Sequence, residues 1–233
     1  MKRLLISFLS AIIFCSCQTI TGSGNIITQS RSLHDFNGVR SSGSIDVEVN
    51  NDQNSSVKVE ADDNIVPYII TKVEDGILDV HLKPNINYRE INVKVYVSAA
   101  SLTKLAVTGS GSITSKDTLA NVDEIEFKVS GSGGIIAIAD APSIKASIGG
   151  SGTINLHGRT KDFNCSITGS GDFKCSNLLS ENTTASITGS GTAHVYASVH
   201  LLAKVTGSGD IFYSGHPAVE IHKTGSGTIE AEK

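Results

Sequence analysis

The sequence has 233 residues, enough for one large domain or two small ones, with a formal net charge of −4 and 39% hydrophobic residues. This acidic balance excludes the basic surface that nucleic-acid binding requires. Glycine is abundant at 23 residues, but most glycines stand in Gly-Ser-Gly triplets that follow alternating apolar segments. This arrangement excludes a flexible linker as the reason for the composition.

The first seventeen residues resemble a bacterial lipoprotein signal. Lys2 and Arg3 precede an apolar run at 4–14 that is too short to span a bilayer. Cys17 follows a small residue and is the predicted site of lipidation, whereas Cys15 follows a bulky phenylalanine that a signal peptidase disfavours. An ordinary cleaved signal peptide and a short core segment remain the alternatives.

Cleavage before Cys17 would remove two of the 19 basic residues and leave 23 acidic ones, a formal charge of −6. This charge argues against a generally basic surface for anionic lipid. We therefore expect the membrane to be a partner through a covalent lipid anchor. The predicted location is the bacterial cell envelope, as an outer-membrane lipoprotein that faces the periplasm or the cell surface.

The next eighty residues show glycine-containing corners and alternating segments. "TGSGNII" at 21–27 and "SSGSIDVEV" at 41–49 stand about 19 residues apart and share a glycine and a trailing isoleucine. Apolar residues then alternate with polar ones at 57–59, 78–82 and 91–97, a period typical of strands with one buried face. About three coils of a solenoid would fit here.

From Gly109 onward the triplets repeat regularly. They start 22, 19, 19, 20, 18 and 18 residues apart, at Gly109, Gly131, Gly150, Gly169, Gly189, Gly207 and Gly225. The position two residues before each triplet is apolar in Val107, Val129, Ile148, Ile167, Ile187 and Val205. The position four before holds Leu105, Phe127, Ala146, Cys165, Ala185, Ala203 and Ile221. Each repeat therefore predicts a strand, a tight corner and a second strand.

This period predicts an all-β fold, a single-stranded parallel β-helix of about 19 residues per coil and about eleven coils, with right-handed winding as the safer expectation. Residues 18–233 would form one domain. Stacked coils would align the corner serines into a structural ladder of Ser110, Ser132, Ser151, Ser170, Ser190, Ser208 and Ser226. An array of antiparallel hairpins with Gly-Ser-Gly turns is the alternative.

Four segments together resemble a known family: "GSGNI", "RSLHDFNGVRSSGSIDVEV", "EDGILDVHL" and "VKVYVSAASLTKLAVTGSGSI". With the later triplets, they are similar to the auto-transporter adhesin family with a head GIN domain, found in envelopes of Bacteroidetes-type bacteria. The resemblance covers nearly the whole chain after the signal. It implies a β-helix and an adhesive role, and it supplies no catalytic residues.

Two covalent modifications are candidates. Cys165 and Cys175 fall on inward positions of one coil, where an oxidising envelope would permit a disulfide. Both could instead be small core residues, since a free cysteine packs as a hydrophobe. Thr118 lies in Asp117-Thr118-Leu119, which resembles a short bacterial O-glycosylation signal.

The residues that could bind metal have simpler interpretations. Asp172 and Asp210 follow their triplets as "GSGD", faintly similar to a calcium-binding repeat, but the period of about 19 favours solvated turn residues. Two histidine pairs, His194/His200 and His216/His222, are six residues apart and match no helical metal motif. The sequence predicts no metal and no cofactor.

The favoured function is a non-enzymatic envelope lipoprotein, an adhesin or structural rod with a glycan or protein ligand. A polysaccharide lyase or hydrolase is the alternative, because β-helices also carry such enzymes. Those sites need clustered acids with basic partners, whereas the outward positions near the triplets are mostly serine and threonine with scattered lysines. Tyr196, Phe212 and Tyr213 come nearest to an aromatic platform for sugars.

Overall fold

The computed structural model describes residues 18–120 and 122–232; the predicted signal segment and Cys17 lie outside them. Within these residues the chain forms 21 β-strands and one short 3-10 helix, Val66–Tyr68. No helix in this part of the chain is long and apolar enough to cross a membrane. The predicted all-β class is confirmed.

The chain divides into an N-terminal cap and a repeat. The cap contains β1 (Gln18–Thr21), β2 (Ile26–Arg31), β3 (Gly38–Gly43), β4 (Asp46–Asn51), β5 (Ser56–Asp62), β6 (Ile69–Glu74), β7 (Ile77–Leu82), β8 (Ile86–Arg89) and β9 (Val93–Ala99). The repeat contains β10 (Lys104–Gly109), β11 (Ser112–Leu119), β12 (Glu124–Gly131), β13 (Gly134–Gly150), β14 (Thr153–Gly169), β15 (Asp172–Cys175), β16 (Leu178–Gly189), β17 (Thr192–Tyr196), β18 (His200–Gly207), β19 (Asp210–Ser214), β20 (Ala218–Gly225) and β21 (Ile229–Ala231).

Two parallel faces meet at the Gly-Ser-Gly corner. The pre-corner face stacks β3, β10, β12, the second halves of β13 and β14, β16, β18 and β20. The post-corner face stacks β4, β11, the first halves of β13 and β14, β15, β17, β19 and β21. These pairings are all parallel, so the predicted β-helix is confirmed and the hairpin array is wrong for the repeat.

The predicted apolar columns fill the interior. Ile148, Ile167 and Ile187 are only 1–2% exposed and lie in register on successive coils. Phe127 and Phe163 are also buried, on the same face. Because every coil repeats the alternation, each apolar side chain packs on its equivalent one coil away, and the core runs along the rod.

Glycine is required at both ends of the corner. Gly169 has a φ of 126°, and a Cβ there would lie 2.4 Å from the carbonyl oxygen of Gly150 on the coil below. A Cβ on Gly171 would meet Ile148 Cγ2 at 2.5 Å. Between them, the amide of Ser170 donates to the same Gly150 oxygen at 2.8 Å. The triplet is therefore repeated because each corner packs directly on another.

The cap differs from the sequence prediction. Eight corners are stacked, beginning with Gly43, and they delimit about seven turns rather than eleven. Residues 52–92 do not add three regular coils. β7 stacks parallel on β3, and β9 stacks parallel on β4, but no glycine corner joins these two strands. The other pairings are antiparallel: β5 pairs with β2 and β9, and β6 pairs with β7. Alternation correctly predicted the buried residues, such as Val59 and Val80, but it does not specify the sense of strand pairing.

The first Gly-Ser-Gly triplet, at 22–24, is not a coil corner. The amide of Gly24 donates to Asp62 Oδ1 at 2.7 Å, and Ser23 Oγ donates to Asp63 Oδ1 at 2.6 Å. The Asn64 side chain donates to the Thr21 carbonyl at 2.8 Å. We call residues 21–25 with Asp62, Asp63 and Asn64 the N-terminal clasp. It fastens the start of the chain to the end of β5.

The last coil is open. Ile221 keeps its register opposite Ala203, but it is 51% exposed, and Val219 is 38% exposed. Among residues 18–120 and 122–232 no further strand packs on β20 beyond β18, so these two side chains lack the cover that their equivalents receive. The expectation that Ile221 belongs to the buried column is wrong for this reason.

Candidate binding surface

The outer side of the pre-corner face carries a shallow groove of about 350 Å³. Its floor is a column of small hydroxyl side chains, Ser147, Ser166 and Ser186, which lie in register on three coils. Asn164 and Thr184 border one side of this column. Because strands are about 4.8 Å apart, the groove presents hydroxyl and amide groups at regular intervals along the rod.

The two charged side chains that line the groove, Glu126 and Lys145, each lie in an ion pair, whereas the exposed Lys128 and Lys204 continue the serine column at its two ends. Lys145 lies 2.8 Å from Glu124, and Lys104 lies 2.6 Å from Glu126. The hydrogen bond from Lys145 also lowers the pKa of the Glu124 carboxyl. Between Lys128 and Lys204 the lining of the groove therefore offers mostly neutral hydrogen-bonding groups, which suit a hydroxyl-rich ligand.

A second outward column continues this surface towards the corner. It places threonine hydroxyls on four successive coils, at Thr168, Thr188, Thr206 and Thr224, all of them exposed. The parallel strands hold these side chains in register. The result is a regular hydroxyl surface beside the serine column.

The corner serines form a separate exposed column, at Ser110, Ser132, Ser151, Ser170, Ser190, Ser208 and Ser226. Their backbone amides make the contacts between coils, each donating to the corner glycine of the coil before it. In the described part of the chain, Ser208 and Ser226 are the one pair whose hydroxyls bond, at 3.1 Å. The column is thus held mainly by the backbone rather than by hydroxyl groups.

Cys165 and Cys175 are buried free thiols in the structure, not the bridge that the sequence left open. Burial raises the pKa of Cys175 from 9.0 to about 12 and raises that of Cys165 well above its usual value. Both side chains lie on inward columns, as predicted for small core residues. Neutral thiols in this environment are poor nucleophiles and do not form a reactive site.

Thr118 is exposed on β11 and lies at an irregularity in the pairing with β13. Its carbonyl accepts a hydrogen bond from the Asn51 side chain at 3.0 Å. The side chain is therefore accessible to a modifying enzyme, and O-glycosylation stays a prediction.

The acidic and histidine residues do not converge. Across residues 18–120 and 122–232 there is no group of three or more potential metal-ligating His, Cys, Asp or Glu side chains. Asp210 accepts the backbone amide of Thr228 at 2.7 Å, and His194 pairs with Glu232. Phe212 stacks on the His194 ring at a centroid separation of 5.1 Å.

The cap contains a larger cleft that the sequence did not reveal, with a volume of about 870 Å³. It opens between the first corner, at Gly43–Asp46, and the wider path of the chain through β8. Leu82, Tyr88 and Ile91 contribute an apolar lining, and Lys94 stands at the cleft with its ammonium 3.1 Å from Glu48. The cleft exists because the cap replaces a tight corner with a longer connection.

Comparison with protein families gives one match, to the family described as "Putative auto-transporter adhesin, head GIN domain", over residues 35–217. The chain belongs to this family. The match covers the first coil, the cap strands from β3 onward and nearly all the repeat. A comparison with curated proteins found no match.

Several solved structures share the fold. A crystal structure of a "putative adhesin" from Bacteroides fragilis has a TM-score of 0.87 and 22% identity, covering 91% of this chain and all of that one. A "putative lipid binding protein" from Parabacteroides distasonis has a TM-score of 0.79 and 27% identity, covering 93% and 100%. A "putative adhesin" from the same species has a TM-score of 0.73 and 26% identity, covering 92% and 100%.

Proposed function

We propose that this head GIN protein is a non-enzymatic, lipid-anchored adhesin of the bacterial envelope that binds a neutral glycan on its pre-corner face. The observation that carries the proposal is the groove over Ser147, Ser166 and Ser186, in which the two charged lining residues, Glu126 and Lys145, are already paired. The family assignment supports an adhesive role. The signal-like residues before Cys17 support the anchor.

The groove favours an extended ligand over a small molecule. It crosses the strands of several coils and is open along the rod, so a polymer could contact equivalent groups repeatedly. Individual hydroxyl contacts contribute little, but repeated ones along one chain add up through multivalency. A linear polysaccharide parallel to the rod axis is therefore the ligand class that the surface fits.

The test is binding of the mature chain to an array of neutral and acidic glycans, repeated for two matched variants. Asn164→Arg places a large cation at the edge of the groove, whereas Asn155→Arg makes the same change on the outer post-corner side of the same strand, β14. We expect Asn164→Arg to weaken glycan binding at least several-fold and Asn155→Arg to leave it unchanged. Equal loss in both variants, or no glycan binding, contradicts the proposal.

The enzyme alternative has a separate readout. Incubation of the mature chain with the array glycans, followed by product analysis, would detect chain cleavage. Cleavage that disappears on substitution of one acidic patch would replace the adhesin proposal with a polysaccharide-processing one. The anchor is tested by mass spectrometry of the N-terminal peptide, in which we expect an acylated Cys17.

A second candidate function is lipid binding in the cap cleft. The apolar lining from Leu82, Tyr88 and Ile91 favours it, and so does the similarity to the "putative lipid binding protein" from P. distasonis. Native mass spectrometry of the purified chain should then show a bound phospholipid. The variant Ile91→Arg, which places a charge in the cleft, should release that lipid, and a chain that never carries lipid would exclude this function.

A further inference from the structure

The first strand begins directly after the predicted lipidation site. β1 begins at Gln18, the residue directly after Cys17, and pairs with β8 over its whole length from Gln18↔Ile86 to Thr21↔Arg89. Ile20 packs against the hydrophobic core, and the amide of Gly22 donates to the Arg89 carbonyl at 3.1 Å. No linker therefore separates the anchor site from the first strand.

The N-terminal clasp fixes this strand a second time. Residues 21–25 exchange hydrogen bonds with Asp62, Asp63 and Asn64 through both backbone and side-chain atoms. Asp62 is fully buried and also accepts the amide of Asn92 at 2.6 Å. Pulling β1 away from the body would leave this carboxylate with fewer donors, so we expect the strand to remain attached.

The surface beside the start of β1 suits a membrane interface. Because β1 and β8 run parallel, the chain enters β1 on the side of the Lys83–Asn85 turn, which is exposed. This turn is supported by two tyrosines: the Lys83 amide donates to the Tyr68 carbonyl, and the Tyr88 hydroxyl donates to the Lys83 carbonyl. Tyrosine and lysine are both favoured at the headgroup level of a bilayer.

The local charge has the matching sign. Residues 80–88 contain the exposed Lys83 and no acidic residue, whereas Arg89 lies beside Glu90 at the opposite end of β8. Although the whole chain is acidic, this segment would face anionic headgroups with positive charge. A covalent lipid beside it keeps the segment at a high effective concentration near the bilayer, so weak contacts are enough.

From these observations we infer that the cap rests directly on the membrane through the Lys83–Ile86 segment, with the repeat pointing away from the bilayer. The inference rests on the lipid anchor of the proposed function. It goes further by naming the surface that contacts lipid headgroups. It also excludes the flexible tether that a disordered linker would provide.

Tryptophan fluorescence can test this orientation, because the chain contains no Trp of its own. The acylated chain, purified from membranes, is placed in phosphatidylcholine/phosphatidylglycerol vesicles that contain brominated lipids. Lys83→Trp reports on the proposed contact. Lys223→Trp is the matched control, because it makes the same change on β20, eight strands from β7 and so about 38 Å away. Asn87→Trp is a second reporter that retains Lys83.

We expect bromolipid quenching to be several-fold stronger for Lys83→Trp and Asn87→Trp than for Lys223→Trp. A ten-residue Gly/Ser insertion between Cys17 and Gln18, which spans about 17 Å, should reduce the quenching of both cap reporters. Equal quenching at the cap and at β20, or quenching unaffected by the insertion, overturns the inference.

A failure of the anchor itself is separable from a failure of the orientation. Mass spectrometry reports whether Cys17 is acylated in the cell. If it is not, the chain that begins at Cys17 is coupled there to a maleimide phospholipid, and the same three reporters are measured. Strong cap quenching with the synthetic anchor supports the orientation even without native acylation, and uniform quenching contradicts it in either preparation.

Discussion

The repeat and the cap bury the same kinds of residue but are stabilised by different arrangements. In the repeat, each coil meets a nearly identical coil, and the corners pack backbone on backbone at Gly169 and its equivalents. In the cap, antiparallel pairs and the clasp join segments of unlike sequence. The repeat therefore tolerates little change at its corners, whereas the cap depends on a few specific polar contacts, above all those of Asp62.

The largest difference between the two regions should appear at their glycines. Gly169→Ala forces a Cβ to within 2.4 Å of a backbone oxygen at a φ of 126°, and we expect a loss of about 4 kcal/mol or more in the free energy of unfolding. Gly24→Ala, in the clasp, has a φ of 79° but nothing within 4 Å, so it should lose about 1 kcal/mol. Urea unfolding measures both.

Equal losses at the two glycines would contradict the view that close stacking, rather than backbone conformation alone, requires glycine at the corners. If the Gly169→Ala variant does not fold, Gly225→Ala takes its place in the comparison with Gly24→Ala. Gly225 has the same contact with a preceding corner but lies on the last coil.

Truncation of one fully buried leucine in each region compares the core of the repeat with the core of the cap. Leu156→Ala and Leu78→Ala should each lose about 2–5 kcal/mol, because each leaves a cavity. Hydrogen exchange should distinguish them. Leu156→Ala should speed exchange in β13 and β15 on either side, since coils stabilise their neighbours, whereas Leu78→Ala should speed it mainly in β3 and β6. Uniform acceleration across the chain in both variants would indicate one cooperative unit instead.

The clasp should respond to the loss of one buried acceptor. The two carboxylate oxygens of Asp62 accept the amides of Gly24 and Asn92, and Asp62→Asn replaces one of these oxygens with an NH₂ group. In either orientation of the new amide, one backbone N–H loses its acceptor. We expect the free energy of unfolding to fall by about 1–3 kcal/mol. Thermal unfolding at pH 7 measures it. Asp63→Asn is the control on the exposed side of the clasp and should have a smaller effect.

Asp63 also gives the clasp a weak pH dependence. Hydrogen bonds from Ser23 and Asn25 hold the pKa of its carboxyl below the ordinary 3.8. Its contribution to stability is therefore present above that value and is lost as the pH falls through the lowered pKa. Asp63→Asn should remove this part of the acid dependence, and an unchanged acid profile would contradict the assignment.

The smallest effect on stability at neutral pH is expected for the buried Cys175 thiol in the core of the repeat. Cys175 is neutral in the folded chain up to a pKa of about 12, but it ionises near 9.0 once unfolded. Between these two pKa values the unfolded chain loses a proton that the folded chain keeps. The contribution of the neutral thiol to the free energy of unfolding is therefore complete below pH 9, and it should decline by about 1.4 kcal/mol per pH unit between 9 and 12. Cys175→Ala should flatten the alkaline stability profile. At pH 8 the native thiols should resist a thiol reagent until urea unfolds the chain.

The groove was only partly predictable from the sequence. Alternation identified Ser147, Ser166 and Ser186 as outward residues, and the triplet spacing gave their register on successive coils. The pairing of Lys145 with Glu124 depends on side-chain positions across two coils, which no local pattern specifies. The cap cleft was missed because it is formed by six separate stretches of chain, from Ile26 to Lys94.

One signal for the cap was present and overlooked. Asp75-Gly76 joins β6 to β7, both residues have positive φ, and Asp-Gly between alternating segments favours a two-residue antiparallel hairpin. The other cap pairings had no such signal. The strands β2, β5 and β9 have the same alternation whether their neighbours run parallel or antiparallel.

The sequence by itself determined the repeat: its strands, its glycine corners, its buried columns and its family. It could do so because each coil has the same surroundings, so one pattern written seven times specifies the contacts of all its copies. Only the tertiary structure decided how the cap closes the rod, where the clasp binds and how many turns there are. Those contacts join unlike segments that are 30 to 68 residues apart. Their choice among competing partners depends on the packing of the whole cap, not on any local period.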